Sequence, residues 1–121
     1  MILLIAAAQV SDIKASDYFP MYQGERTETR ALVQPYFDCT FKAAGQLEKS
    51  GDAPTEVAKA AIAMCDTSRE NLQASVDADI ALAPAEAPLG TSDKVMGKFD
   101  QWLENHLRMR IVAKRAMKAT K

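Results

Sequence analysis

The sequence predicts an all-α fold, an antiparallel helical hairpin with a third, C-terminal helix in a small disulfide-stapled bundle. Three observations predict it. Apolar residues recur at steps of three and four along three long stretches, a Gly-Asp-Ala-Pro turn and a Pro-rich connector separate those stretches, and two cysteines flank the turn at matching distances. With 121 residues, 15 Lys+Arg against 16 Asp+Glu and 48% apolar residues, the chain has the size and balance of one domain. Ala supplies 21 of the apolar residues, so the core is modest and a covalent staple matters more than in a larger domain.

Residues 2–8 read Ile-Leu-Leu-Ile-Ala-Ala-Ala, an apolar run followed by polar Gln9, Ser11 and Asp12. This looks like part of a secretory signal, with small residues placed for cleavage after Ala8, although the basic start of such a signal is missing. The alternative is an apolar segment packed in the core of a cytoplasmic protein. Residues 9–121 form the expected single helical domain. From 9 to 24 no period dominates, and Tyr18, Phe19, Met21 and Tyr22 form an aromatic arm expected to cover one end of the bundle; an exposed ligand-binding patch is the alternative.

The first long helix is expected over 27–49. Leu32, Tyr36, Cys39, Ala43 and Leu47 form one stripe, and Val33, Phe37, Phe41 and Ala44 a second, giving a wide apolar arc that belongs at the centre of the core. Pro35 removes a backbone hydrogen bond there, so it either kinks the helix or marks its start. Gly51 ends the segment, and Asp52 and Pro54 suit the first turn of a second helix. That helix is expected from Pro54 to at least Ser75, extending through Ile80 and Leu82, with Ala58, Ala61, Cys65, Leu72 and Val76 on one stripe interrupted by Ser68.

Residues 83–92 form a connector, since two Pro and one Gly break any helix there. The last helix begins near Ser92 and Asp93, which can cap it, and reaches towards Lys118. Val95, Phe99, Trp102, His106, Met109, Ala113 and Ala116 give its expected stripe, and Gly97 costs about 1 kcal/mol unless it allows close contact.

Cys39 lies twelve residues before Gly51 and Cys65 thirteen after Asp52. In an antiparallel helical hairpin both reach about 18–20 Å from the turn, at the same height and facing each other. A Cys39–Cys65 bond closing ~25 residues contributes about 3–4 kcal/mol in the chain-entropy model. Two buried free thiols are the alternative, and export and the bond support each other.

Charge is unevenly divided. Residues 52–93 carry eight acids and two bases, whereas 94–121 carry eight bases and two acids. The first reading is attraction between the basic helix and the acidic region, helped by the preference of cations for a helix C-terminus. The second is a basic interaction face made by Arg108, Arg110, Lys114, Arg115, Lys118 and Lys121, opposite Met109, Val112, Ala113, Ala116 and Met117, suited to anionic lipid, nucleic acid or an acidic protein. Export argues against nucleic acid.

Catalytic and metal motifs are sparse. His106 is the sole histidine, and its place on the apolar stripe favours a packed, hydrogen-bonded imidazole over a general base. No Gly-x-Ser-x-Gly, Cys-x-x-Cys or His-Glu-x-x-His spacing occurs, the glycines are scattered, and the pairs Glu25/Glu28 and Asp77/Asp79 have the setting of solvated surface carboxylates. No catalytic, cofactor-binding or metal-binding residue is therefore assigned. The expectation is a periplasmic or secreted, non-catalytic protein-binding or structural module of the cell envelope. Two alternatives accompany it: an anionic-lipid-binding surface protein using the basic C-terminal helix, and a thiol-disulfide redox protein.

Overall fold

Residues 27–47 combine good helix formers with the two apolar rows described above, and the computed structural model, which describes residues 19–83 and 91–119, shows one unbroken helix there, α1 (Thr27–Leu47). Pro35 neither starts nor ends it. The proline lies on the exposed side, as does Ala31, whose carbonyl loses its helical partner on that side. A 3₁₀ turn (Glu48–Ser50) follows, and Gly51, at φ 80°, reverses the chain through a backbone conformation that side-chain-bearing residues rarely adopt.

The return path is two helices, where one was expected: α2 (Pro54–Ala63) and α3 (Asp66–Leu82). Pro54 fills the first turn of α2, where its missing N–H has no cost. The break falls at Met64 and Cys65, and Cys65 leaves helical backbone (φ −108°, ψ 32°) while its carbonyl starts α3 by accepting from the Arg69 N–H at 3.0 Å. The change of direction lets α2 pack mainly on the last helix while α3 packs mainly on α1. The last helix, α4 (Ser92–Ala119), is capped one residue earlier than expected, because Thr91 Oγ1 accepts from the Lys94 N–H at 3.3 Å. The expected signal-like segment 1–8, Tyr18, most of the connector and Lys121 lie outside the described residues.

The described helices share one core. It contains Val33, Tyr36, Phe37, Ala43 and Ala44 of α1, Val57, Ala58 and Ala61 of α2, Leu72 and Val76 of α3, and Val95, Met96, Phe99, Leu103, Leu107 and Ile111 of α4. Side-chain pairs fix the directions. Thr29 meets Ser75 and Cys39 meets Cys65, so α1 and the α2–α3 arm are antiparallel. Tyr36 meets Asp100 and Glu48 meets Lys114, so α4 runs parallel to α1. The Cys39 and Cys65 Cα atoms are 6.0 Å apart with their sulfurs at bonding distance, across the level of the helix break.

Two sequence expectations about α4 need correction. Its inward stripe follows the expected course through Val95 and Phe99, but then runs through Leu103, Leu107 and Ile111, leaving His106, Met109, Ala113 and Ala116 exposed. The larger branched side chains win the interior because they bury more apolar area than Ala or imidazole. Gly97 is exposed, with open space where a side chain would stand, so it provides no close helix contact.

Candidate binding surface on the first and last helices

Ionisable side chains concentrate at three places, and packing decides what each can do. The first is Asp79, which continues the Leu72–Val76 stripe of α3 into the interior and is 1% exposed. It accepts hydrogen bonds from Tyr22 Oη and Arg26 Nε, and from Thr29 Oγ1 at 2.7 Å. Burial alone would push its carboxyl up, but these three donors outweigh burial and hold it below the usual carboxylate range. Beside it Arg30 clasps Glu25 at 2.7 Å and donates to the Pro20 carbonyl at 2.9 Å. The segment preceding α1 is thus pinned to α3, and Phe19 is buried against Phe99 and Trp102. Surface placement was the expectation for Glu25 and Asp79; both are internal anchors instead, while Glu28 and Asp77 are exposed.

The second place is Asp100 on α4. Its carboxylate accepts from Tyr36 Oη at 2.8 Å and from two nitrogens of Arg69, the nearer at 2.6 Å. Burial and then the neighbouring Asp100 charge push the Tyr36 hydroxyl far above its ordinary range, so it stays a donor. Asp79 and Asp100 both spend their acceptor positions on structural partners, which suits holding helices together rather than proton transfer.

The third place joins the ends of α1 and α4. Glu48, at the end of α1, has a side chain 5% exposed and pairs with Lys114 Nζ at 2.8 Å and Lys118 Nζ at 3.4 Å; Arg115 donates to its carbonyl at 3.2 Å. The Lys114 hydrogen bond, outweighing burial with help from Lys118, keeps the Glu48 carboxyl below its usual value. One turn back, the Arg110 guanidinium lies 4.9 Å over the Phe41 ring. Between them a groove of about 310 Å³ runs along the α1–α4 seam, lined by Phe41, Ala44, Gly45, Leu107 and Ile111 with Glu48, Arg110 and Lys114 at its rim. An aromatic ledge continues it: Trp102 stacks on His106 at 4.8 Å, and His106 lies 5.8 Å from Phe41.

Arg110, Lys114, Arg115 and Lys118 turn towards α1, Arg108 points to solvent, and Lys121 lies outside the described residues. Among the described residues the direct ion pairs of the α4 cations are with Glu48, outside residues 52–93, and the α3–α4 ion pair joins Arg69 on α3 to Asp100 on α4. His106 is exposed and stacked, rather than hydrogen-bonded in the core. Partial desolvation of the ring where it stacks on Trp102, and then the Arg110 charge, lower its pKa, favouring the neutral form. The outer side of α4 instead shows Met109 (64% exposed) and Val112 (50%), with Met117 (69%) near its end. Asp79 went unassigned from sequence, although its step of three from Val76 on the buried stripe was the signal that could have found it.

Among the described residues no group of three His, Cys, Asp or Glu converges as metal ligands do, and no helix is long and apolar enough to cross a membrane. Comparison with family models, with curated proteins and with solved structures finds no match to this chain.

Proposed function

We propose that this protein is an exported, non-catalytic binding module of the cell envelope, and that it engages a protein partner through the outward face of α4. The observation carrying this reading is the exposed pair Met109 and Val112. They stand on a helix whose inner side is fixed by Leu103, Leu107 and Ile111 and whose end is tied to Glu48 by Lys114 and Lys118. A rigid helix displaying an apolar strip suits insertion into a partner's apolar groove, and Arg108 beside it favours a groove rimmed by carboxylates. Export is supported by the signal-like run at 2–8 together with the Cys39–Cys65 pair, since such bonds persist outside the reducing cytosol.

The two alternatives receive less support. Lys114, Arg115 and Lys118 face Glu48, which leaves a flat anionic membrane fewer outward cations than the sequence suggested. Cys65 is 2% exposed and Cys39 only partly buried, so an attacking thiol can approach the bond from the Cys39 side alone unless the helices part.

A photoreactive residue placed at Val112 tests the reading in the native envelope, with the same residue at Glu70 on the exposed side of α3 as control. The expected result is a discrete cross-linked protein from position 112, absent from position 70 and lost when Met109→Glu is added. Identical products at both positions, or none at 112, would contradict it.

A further inference from the structure

The groove on the α1–α4 seam lies on the opposite side of α4 from the Met109–Val112 face, and its chemistry is of two kinds. Its floor is apolar, made by Phe41, Ala44, Leu107 and Ile111. Its rim carries two cations and one acid, Arg110, Lys114 and Glu48, and just beyond it Lys118 also pairs with the Glu48 carboxylate while Arg115 donates to the Glu48 carbonyl. Lys114 and Lys118 keep 55% and 62% of their side chains in solvent, so each retains donors beyond its bond to Glu48. Among the described residues Arg110 has no carboxylate within ion-pair reach, and its guanidinium rests on the Phe41 ring at the groove itself. The middle of the groove is open at Gly45, where an added Cβ would meet nothing within 4 Å.

From this charge complementarity over an apolar floor we infer that the groove binds a single-chain anionic amphiphile, a medium-chain carboxylate. Its tail lies along Phe41, Gly45, Leu107 and Ile111, and its headgroup is held by Arg110 and Lys114. Arg110 supplies the unpaired charge, and Lys114, which already pairs with the Glu48 carboxylate, keeps further donors for a second one. The volume, about 310 Å³, falls at the lower end of the range for small-molecule sites, which suits one medium-length tail. Each buried methylene adds to affinity, and the cation supplies selectivity for the anionic head.

Titration of the full-length oxidised protein with dodecanoate below its micellar concentration, followed calorimetrically, tests the inference. One site per chain is expected, with dodecanol binding more weakly. Gly45→Leu, whose Cβ would meet nothing within 4 Å, directs a side chain into the groove and should weaken dodecanoate by about tenfold or more, while the gain in helix propensity keeps its thermal unfolding at or above that of the parent. Arg110→Gln leaves the Glu48 pairs in place and should weaken dodecanoate but not dodecanol. Absence of dodecanoate binding, binding unchanged by both substitutions, or association with phosphatidylglycerol vesicles alone would overturn the inference. Failure here leaves the cross-linking result at Val112 untouched, since the two faces are separate.

Discussion

Replacing Asp79 with Asn would leave Arg26 and two hydroxyls facing a neutral amide in the interior, with an expected loss of about 2–3 kcal/mol in chemical denaturation. Arg26 keeps 31% of its side chain in solvent, which places the loss below that of a fully buried ion pair. The same carboxyl predicts how stability responds to acid. Its pKa is lower folded than its ordinary 3.8, and Glu48 likewise lies below 4.5, so their stabilisation is present above those values and is lost as pH falls through the folded ones. His106 acts earlier, for a different reason. Its folded pKa lies below 6.5, so protonation favours the unfolded chain and stability begins to decline as pH drops past that value. Thermal unfolding measured from pH 7 to pH 3 should therefore show a shallow decline followed by a steeper one. His106→Gln should remove the first, and Asp79→Asn should flatten the second.

At the scale of helices, the ends that rest on local chemistry were legible in sequence, and the ones that rest on packing were not. Gly51 and Pro54 mark the hairpin turn because one supplies positive φ and the other a preset φ without an N–H. The break at Met64–Cys65 carries no Gly or Pro; its trace is confined to Asp66 and Ser68, polar residues that suit a helix start but also suit an exposed face. On α4 two apolar rows compete, one through Trp102 and His106 and one through Leu103 and Leu107, and periodicity alone does not rank them. Asp79 is hidden for a similar reason, since a carboxylate in an Ala-rich helix reads as surface until Tyr22 and Arg26 are brought to it by the fold. Gly97 gives a simple test at this scale. It is exposed inside α4 with open space around it, so Gly97→Ala should raise stability by about 0.5–1 kcal/mol in the same denaturation assay.

Across the whole molecule, three ties hold α1 to the other helices: the Asp79 cluster at its start, the cysteine pair along its length and the Glu48 cluster just past its end. At the basic end of α4, Lys114 and Lys118 turn onto Glu48, and the opposite face leaves Met109 and Val112 outward. Of the three ties the covalent one closes a span of 26 residues, and removing it by Cys39→Ser with Cys65→Ser should cost about 3–4 kcal/mol. A loss of that size in so small a domain would make the display of the α4 face depend on an oxidising surrounding. The most direct measurement is the intact mass of the protein taken from its own cells, denatured with a thiol-alkylating reagent and without reductant. No alkylation is expected, and a mass lower by two hydrogens than the reduced chain, whereas two alkylated cysteines would contradict both the clasp and an oxidising compartment.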